Sequence, residues 1–216
     1  MTPTEMAALE RRLSVERLVP YRLAADNNLA RAIRLYEWNA DIGAAFWASL
    51  GHVEVLLRNA MHTQLTRWSV GRHGDPRWYL DPDKLLSRPA LADIDDARRR
   101  ASRNGTPETP GRVVAELGFG FWRFLLASQY ERTLWLPLLR HAFPGLRGRG
   151  IRRDVHNTVA DLHGLRNRIA HQEPIHNRSL ATLHQKAIQT ANWICPVTRR
   201  WIETRCRVPA LLDARP

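Results

Sequence analysis

The feature that most constrains the fold is a run of apolar residues spaced three or four apart in the first third of the chain. The run consists of Phe46, Leu50, Val53, Leu57, Met61, Leu65 and Trp68. Since an α-helix makes one turn in 3.6 residues, this spacing places the run on one broad face of a long helix. A period-two alternation of apolar and polar residues, the pattern of a half-buried strand, is not sustained anywhere in the sequence. The chain is therefore expected to be an all-α helical bundle.

The same spacing predicts further helices on both sides of this one, with glycine and proline marking their boundaries. Thr109 followed by Pro110 is typical of a helix start, since proline suits the first helical position. The expected helices are 28–38 with Asp26 as its cap, 46–68, 89–103, two or three short ones within 113–143, 151–171 ending before Pro174, 179–194 capped by Ser179, and a short one around Trp201.

Residues 71–111 are the least regular part of the chain. They contain Pro76, Pro82, Pro89, Pro107 and Pro110. We expect this segment to be a surface insertion that carries one short helix, within a single domain spanning residues 1–216. Its arginines at 98, 99, 100 and 103 are expected on a solvated face of that helix.

The charge balance favours a polyanionic partner. The formal net charge is +12, and Lys84 and Lys186 are the only lysines, so nearly all of the positive charge is arginine. Arginine binds phosphate through two parallel donors, and each neutralised phosphate releases condensed counterions. A genome rich in GC codons would also favour arginine over lysine, but it would not explain the sign of the surplus. Nucleic acid is the expected partner.

The cellular location is inferred from the absence of membrane-span, leader and cysteine-pair patterns in the sequence. No uninterrupted apolar run approaches the ~20 residues that a membrane span requires. Residues 1–12 contain no apolar leader segment. The two cysteines, Cys195 and Cys206, form no CxxC pair, which fits a reducing compartment. We expect a cytoplasmic protein without membrane association.

The chemical centre of the sequence is the stretch from Arg166 to His171, at the end of the predicted helix 151–171. Asn167 lies four residues before His171, so we expect its amide to hydrogen-bond the imidazole and fix its tautomer. Arg166 lies five residues before His171, which places it about 140° away around the helix. Arg166 must therefore bend back towards His171 or complete the site across a dimer.

Arginine and histidine without metal ligands suit the cleavage of RNA by its own 2′-hydroxyl. Histidine transfers a proton near neutral pH, and arginine stabilises charge on the pentacoordinate phosphorus. His156, Asp161 and His163 do not have the spacing of a shared metal site, so no metal and no cofactor are expected. Alternatively, His171 only complements the helix dipole.

The sequence RNRIAHQEPI resembles the Arg-x(4–6)-His signature of the HEPN superfamily, and more specifically its Abi-like branch, which is associated with abortive infection in bacterial phage defence. In that branch the motif runs Arg-Asn-x-x-x-His and is followed by a Glu-Pro-like turn, here Glu173-Pro174-Ile175. Other stretches that resemble the branch are Arg17-Leu18 with Tyr21, Leu35 to Asn39, Glu54 to Asn59, and Glu116 to Trp122.

This resemblance implies a HEPN-like bundle that acts as a metal-independent endoribonuclease and leaves 2′,3′-cyclic phosphate and 5′-hydroxyl ends. It implies Arg166, Asn167 and His171 as catalytic residues, a homodimer with the site near its interface, and a toxin or abortive-infection role with an antitoxin protein or RNA as a further partner.

A second group of residues is expected to support the site. Glu54, Arg58 and His62 are spaced four apart. Glu54 and Arg58 are expected to form an ion pair that supports the Arg166–His171 site, or Arg58 contacts the scissile phosphate, and Asn59 lies beside them. The alternative is an ordinary surface pair. Arg168 is expected to bind substrate phosphate, or else to lie on a solvated face.

Two other functions stay open at this point. A HEPN domain without catalysis would hold a regulatory or guide RNA, and its RNA binding would depend on salt. A helical interaction protein whose basic charge is only compositional would not bind RNA at physiological salt.

Overall fold

The computed structural model describes residues 1–147 and 151–216. These residues form α-helices joined by short 3₁₀ and π turns and include no β-strand, which confirms the all-α class. The α-helices are α1 (Pro3–Leu13), α2 (Val15–Ala24), α3 (Leu29–His73), α4 (Arg88–Ala101), α5 (Pro110–Glu116), α6 (Phe119–Phe124), α7 (Ile151–Ala170), α8 (Leu180–Ile194), α9 (Pro196–Glu203) and α10 (Val208–Asp213).

The helices predicted over 28–38 and 46–68 are one continuous helix, α3, of 45 residues. The residues between them include Ala40, Ala44 and Ala45, whose high helix propensity offsets the low propensity of Gly43, and no proline interrupts the backbone ladder. The predicted cap was wrong: Asn28, not Asp26, accepts the N–H of Arg31. Asp26 instead has a φ of 52° in the turn before the helix.

α3 is the central helix of the bundle and contacts α2, α7, α8 and α10. The predicted apolar stripe is confirmed as its buried face, since Leu50, Val53, Leu57, Met61 and Leu65 are at most 1% exposed. Burying such a face is the dominant favourable contribution to folding, at roughly 25 cal/mol per Å² of apolar surface.

One window of α3 reaches a mean hydropathy of 1.2, so the helix is long and apolar enough to cross a membrane by length and composition. Of that window, 44% is buried inside the protein. Ile42, Phe46 and Leu50 of α3 lie in the buried core, whereas Trp47 and Val55 are exposed.

The segment 71–111 packs against the bundle through its own apolar residues. Trp78 and Tyr79 are buried in the 3₁₀ turn that follows α3, and Ile94 is buried on α4. The predicted helix over 89–103 corresponds to α4. Of its arginines, Arg99, Arg100 and Arg103 are exposed as expected, and only Arg98 is half-buried. Arg98 pairs with Glu108 at 2.9 Å, and Arg100 pairs with Glu116 at 2.9 Å.

The remaining predicted helices agree with the structure, except that Ser179 stands at the N-cap position of α8 without a side-chain capping hydrogen bond. Thr109 caps α5 with Pro110 at its first turn, and residues 113–143 form short helices and turns, including α6. α7 buries Val155, Val159, Leu162 and Leu165 and ends before Pro174. The alternation of glycine and arginine over 145–150 predicts a loop, and this stretch falls partly outside the described residues.

Candidate site at the C-terminal end of α7

α7 places the predicted motif at the surface of the bundle. Its buried stripe holds it against α3, and the two helices come close at Gly43, where an added Cβ would lie 3.8 Å from the Ile169 side chain. The N–H of His171 still donates to the carbonyl of Asn167 at 3.0 Å, so His171 continues the helical turn. Its side chain is exposed. The structure therefore presents His171 to solvent at a helix end.

The turn after His171 is held by a buried asparagine of α3. The carboxamide oxygen of Asn39 accepts the N–H of Ile175 at 2.8 Å and the N–H of His176 at 3.0 Å. Both hydrogen bonds are buried, so they fix the backbone of the turn against α3. Asn39 lies in the stretch 35–39 that carries part of the family resemblance.

Arg168, on α7, stabilises the same turn through two contacts. Its guanidinium donates to the carbonyl of Pro174 at 3.0 Å and lies 3.2 Å from the Glu173 carboxylate. These contacts engage the side chain within its own chain. Arg168 therefore acts in the structure as a positioning residue for the turn, and its predicted contact with substrate phosphate stays a prediction.

α2 closes the turn from the other side. Arg17 donates to the carbonyl of Gln172, and its guanidinium lies 5.9 Å from the ring centre of Tyr36. The Tyr21 ring meets Tyr36 edge-on at 5.2 Å and lies 4.8 Å from the His176 ring. Segments far apart in the sequence thus converge on the turn beside the motif.

These contacts leave a cleft of about 300 Å³ between α3 and the turn. Apolar and small residues line it together with charged and amide groups. Its lining includes Arg17, Tyr36, Ala44, Ile169, Gln172 and Glu173. One lining residue, Gln172, directly follows His171 in the sequence. The cleft is large enough to admit part of a ligand.

The predicted contact of Asn167 with His171 was wrong. The amide nitrogen of Asn167 lies 3.3 Å from Nε2 of His163, one turn earlier on α7. The reason is that helical side chains tilt towards the N-terminus of their helix, so Asn167 reaches back four residues rather than forward.

Arg166 is held away from His171. Its guanidinium lies over the ring of Trp47 on α3, 5.2 Å from the ring centre. A cation over an aromatic face is a favourable arrangement worth about 0.5–1 kcal/mol at exposed sites. The expectation that Arg166 and His171 do not stack within one chain therefore agrees with the structure.

The second group of predicted residues does not join this site. Arg58 donates to the side chain of Asn59 at 3.3 Å, and no ion pair links it to Glu54, so the predicted pair was wrong. Arg58 also lies about 22 Å of helix rise from Gly43, where α3 meets Ile169.

His62 has a structural role in the same part of α3. Its Nδ1 accepts the indole N–H of Trp78 at 2.9 Å. Burial and the nearby charge of Arg58 lower the pKa of His62, so it stays neutral in this contact.

Within the described residues, no three histidine, cysteine or acidic side chains are close enough to hold a metal ion. Sequence reasoning missed the part played by Asn39, because the contact spans 136 positions and leaves no local pattern. It also missed His163, although the tilt of helical side chains was enough to pair it with Asn167.

Comparison of the chain with protein-family models, with curated proteins and with solved structures finds no match.

Proposed function

We propose that this protein is a metal-independent endoribonuclease of the HEPN type. The observation that supports this best is the setting of His171, an exposed imidazole on a turn that Asn39, Arg168 and Arg17 fix from three elements. A general acid or base must be held in place while it stays reachable by substrate. A histidine that only complemented a helix dipole would not need such bracing.

The chemistry follows from the two side chains of the motif. His171 takes the proton from a ribose 2′-hydroxyl as that oxygen attacks the neighbouring phosphorus. The P–O5′ bond then breaks, the 5′-oxygen acquires a proton, and a 2′,3′-cyclic phosphate remains. Arg166 donates hydrogen bonds to the phosphoryl oxygens as negative charge accumulates on them.

The biological role belongs to the same proposal. We propose a cytoplasmic toxin or abortive-infection effector that acts as a homodimer and is restrained by an antitoxin protein or RNA. The net charge of +12 supports an RNA partner.

The test is cleavage of RNA by the purified protein in EDTA, followed by analysis of the ends. We expect 2′,3′-cyclic phosphate and 5′-hydroxyl ends from the wild type and a loss of at least a hundredfold in His171→Ala, since general acid–base catalysis contributes about 10²–10⁴-fold. His141→Ala removes another exposed histidine and is the matched control. Full activity in His171→Ala would refute the mechanism.

A second candidate function is RNA binding without catalysis. The placement of Arg166 over Trp47 favours it, because an arginine held there is not beside His171 in its own chain. This function predicts RNA binding that falls with salt, no cyclic-phosphate product, and affinity unchanged in His171→Ala.

A further inference from the structure

A cysteine and a histidine are in contact outside the candidate site, where the turn between α9 and α10 meets α3 and α8. Sγ of Cys206 lies 3.7 Å from Nδ1 of His184 on α8 and 3.2 Å from Oγ of Ser49 on α3. A thiol beside an imidazole is the arrangement that activates a cysteine, because the imidazole takes the thiol proton and then stabilises the thiolate. Cys206 therefore has the partner that a nucleophilic thiol requires.

Ser49 can bind the thiol in either charge state. Its hydroxyl also lies 3.2 Å from the carbonyl of Ala45, one turn earlier on α3. A hydroxyl has one proton to donate and accepts through its lone pairs. Ser49 therefore donates to Ala45 while it accepts the thiol proton, and it donates to Cys206 once the thiolate has formed. With His184, this gives the thiolate two side-chain donors.

Cys206 is half-buried beside a surface recess. It lines this recess of about 40 Å³ together with Ser49, His52, Arg205 and Arg207. His52 and the two arginines are exposed, so the recess lies at the surface of the bundle. A small reagent can therefore approach Sγ from this side.

The recess carries positive charge that no carboxylate balances. None of its lining residues is acidic, and neither Arg205 nor Arg207 lies within 4.0 Å of a carboxylate in the described part of the chain. The Arg205 guanidinium lies 5.4 Å from the ring centre of Trp201. Glu203, the acidic residue closest in sequence, pairs with Arg199 at 2.9 Å. Two guanidinium groups beside a thiol favour the thiolate and attract an anionic reactant.

The pKa of the Cys206 thiol agrees with these contacts. Burial raises this pKa, but other contributions outweigh burial and leave the pKa below its usual value. These are hydrogen bonds from His184 and Ser49, a hydrogen bond from the backbone N–H of Val208, and the charge of His184. The pKa of Cys195 is also lowered, but by backbone N–H groups at the start of α9 rather than by an imidazole. The two thiols therefore differ in that Cys206 has a base beside it.

We propose that Cys206 is a modification site, a nucleophilic thiol that forms a mixed disulfide with an anionic low-molecular-weight disulfide such as glutathione disulfide. His184 touches the reacting sulfur and acts as its base. The carboxylates of the incoming disulfide are bound by Arg205 and Arg207, since guanidinium binds carboxylate through paired donors.

The reaction is a thiol–disulfide exchange. His184 takes the proton of Cys206, and the thiolate attacks one sulfur of the disulfide. A bond forms between Sγ and that sulfur as the original disulfide bond breaks. The other sulfur leaves with the bonding electron pair and takes up a proton. The Cys206 sulfur is oxidised, the leaving sulfur is reduced, and the disulfide itself is the only oxidant needed.

The first test measures the rate at which Cys206 reacts with dithiobis(nitrobenzoate), an anionic disulfide whose leaving thiolate is coloured. The measurement is made in Cys195→Ser, where Cys206 is the only thiol. In this background we expect His184→Asn to react about three- to tenfold more slowly near neutral pH and to move the midpoint of the pH–rate profile upward. The reason is that an amide can donate a hydrogen bond where Nδ1 lies but cannot take a proton.

His184→Gln, whose amide extends one carbon further, is a second variant with the same expected result. His141→Asn, which changes another exposed histidine, is the matched control and is expected to react as the background does. Thermal melting of each variant checks that it is folded.

A second test separates anionic disulfides from others. It compares dithiobis(nitrobenzoate) with cystamine, a dicationic disulfide. In the double variant Arg205→Gln with Arg207→Gln, we expect the ratio of the anionic to the cationic rate constant to fall about threefold or more at low salt. Arg112→Gln removes an exposed arginine of α5 and is expected to leave the ratio unchanged. An unchanged ratio in the double variant would show that the recess does not select an anion.

Mass spectrometry after incubation with glutathione disulfide identifies the product. We expect one glutathione on the peptide that contains Cys206, and its removal by dithiothreitol. The proposal is overturned if folded wild-type protein gains no adduct at Cys206. It is equally overturned if folded His184→Asn and His184→Gln show the rate and the pH midpoint of His141→Asn. Neither result depends on whether the protein cleaves RNA.

Discussion

At the scale of single residues, Asn39 holds the turn that follows His171. Its carboxamide oxygen accepts two buried N–H groups from the turn that follows α7. Nothing in the local sequence indicates this, because asparagine inside a helix usually faces solvent and the turn is 136 positions away. The pairing of Asn167 with His163, by contrast, was open to prediction from the direction of helical side chains.

We expect Asn39→Ala to lower the free energy of unfolding by about 2–4 kcal/mol, because two buried N–H groups lose their acceptor. Urea denaturation measures the loss, and faster hydrogen exchange at Ile175 and His176 would assign it to the turn. Asn59→Ala, on the exposed side of the same helix, is the control and is expected within about 0.5 kcal/mol of the wild type. Equal stability of the two variants would contradict this account of the turn.

Tyr79 gives a prediction on pH at the same scale. Burial, and the hydrogen bond to and charge of Glu108, raise the pKa of Tyr79 to about 12. The unfolded chain ionises this phenol near pH ~10 while the folded protein keeps it protonated. The stabilisation is therefore fully present below pH ~10 and is lost as the pH rises from there to about 12.

Urea unfolding between pH 9 and about 11.5 checks this, with Tyr79→Phe as the comparison. We expect the free energy of unfolding to fall more steeply with pH in the wild type than in the variant. Burial also raises the pKa of Tyr21, but that contribution is common to both proteins and cancels. Parallel curves would show that Tyr79 ionises alike in the folded and unfolded chains.

At the scale of elements, apolar periodicity predicted where helices occur better than where they join. The stripe from Phe46 to Trp68 identified the core of α3, but its period gave no sign that the helix continues back to Leu29. The short helices of residues 113–143 were predictable, because Gly118 and Pro137 interrupt the pattern. The burial of Trp78 and Tyr79, which lie within the segment 71–111, could not be predicted, since prolines indicate loops but not which residues of a loop are buried.

Gly145, which precedes α7, contacts the end of α8, and a substitution at Gly145 tests this contact. Its N–H donates to the carbonyl of Trp193 at 2.9 Å, and an added Cβ would lie 2.7 Å from the carbonyl of Asn192. We expect Gly145→Ala to lower the free energy of unfolding by about 1–3 kcal/mol, because the clashing oxygen belongs to the backbone and cannot move aside as a flexible side chain would. Gly71→Ala in α3 has open space around it and is expected to stabilise the protein by roughly 0.5–1 kcal/mol. Denaturant curves of the two variants should therefore shift in opposite directions.

At the scale of the whole molecule, the sequence places Arg166 and His171 about 140° apart around α7 and leaves open whether the two side chains can act in one site. The structure sharpens that question. Arg166 lies over Trp47 of its own chain, and Asn167 turns to His163, so His171 has neither predicted partner beside it. A site that uses both Arg166 and His171 is then most simply completed by a second copy of the chain, related by two-fold symmetry.

Mixing two inactive variants tests this arrangement directly. In a heterodimer of Arg166→Gln with His171→Ala, a site shared between chains has one intact copy, built from the arginine of one chain and the histidine of the other. After unfolding and refolding an equal mixture, random pairing makes half of the dimers heterodimers, so we expect about a quarter of the wild-type rate. If both residues acted within one chain, the mixture would be as inactive as its components. Each variant refolded alone is the control for residual activity, and light scattering of the mixture measures dimer formation. Dimers that form without recovered cleavage would show that Arg166 and His171 do not meet across the interface.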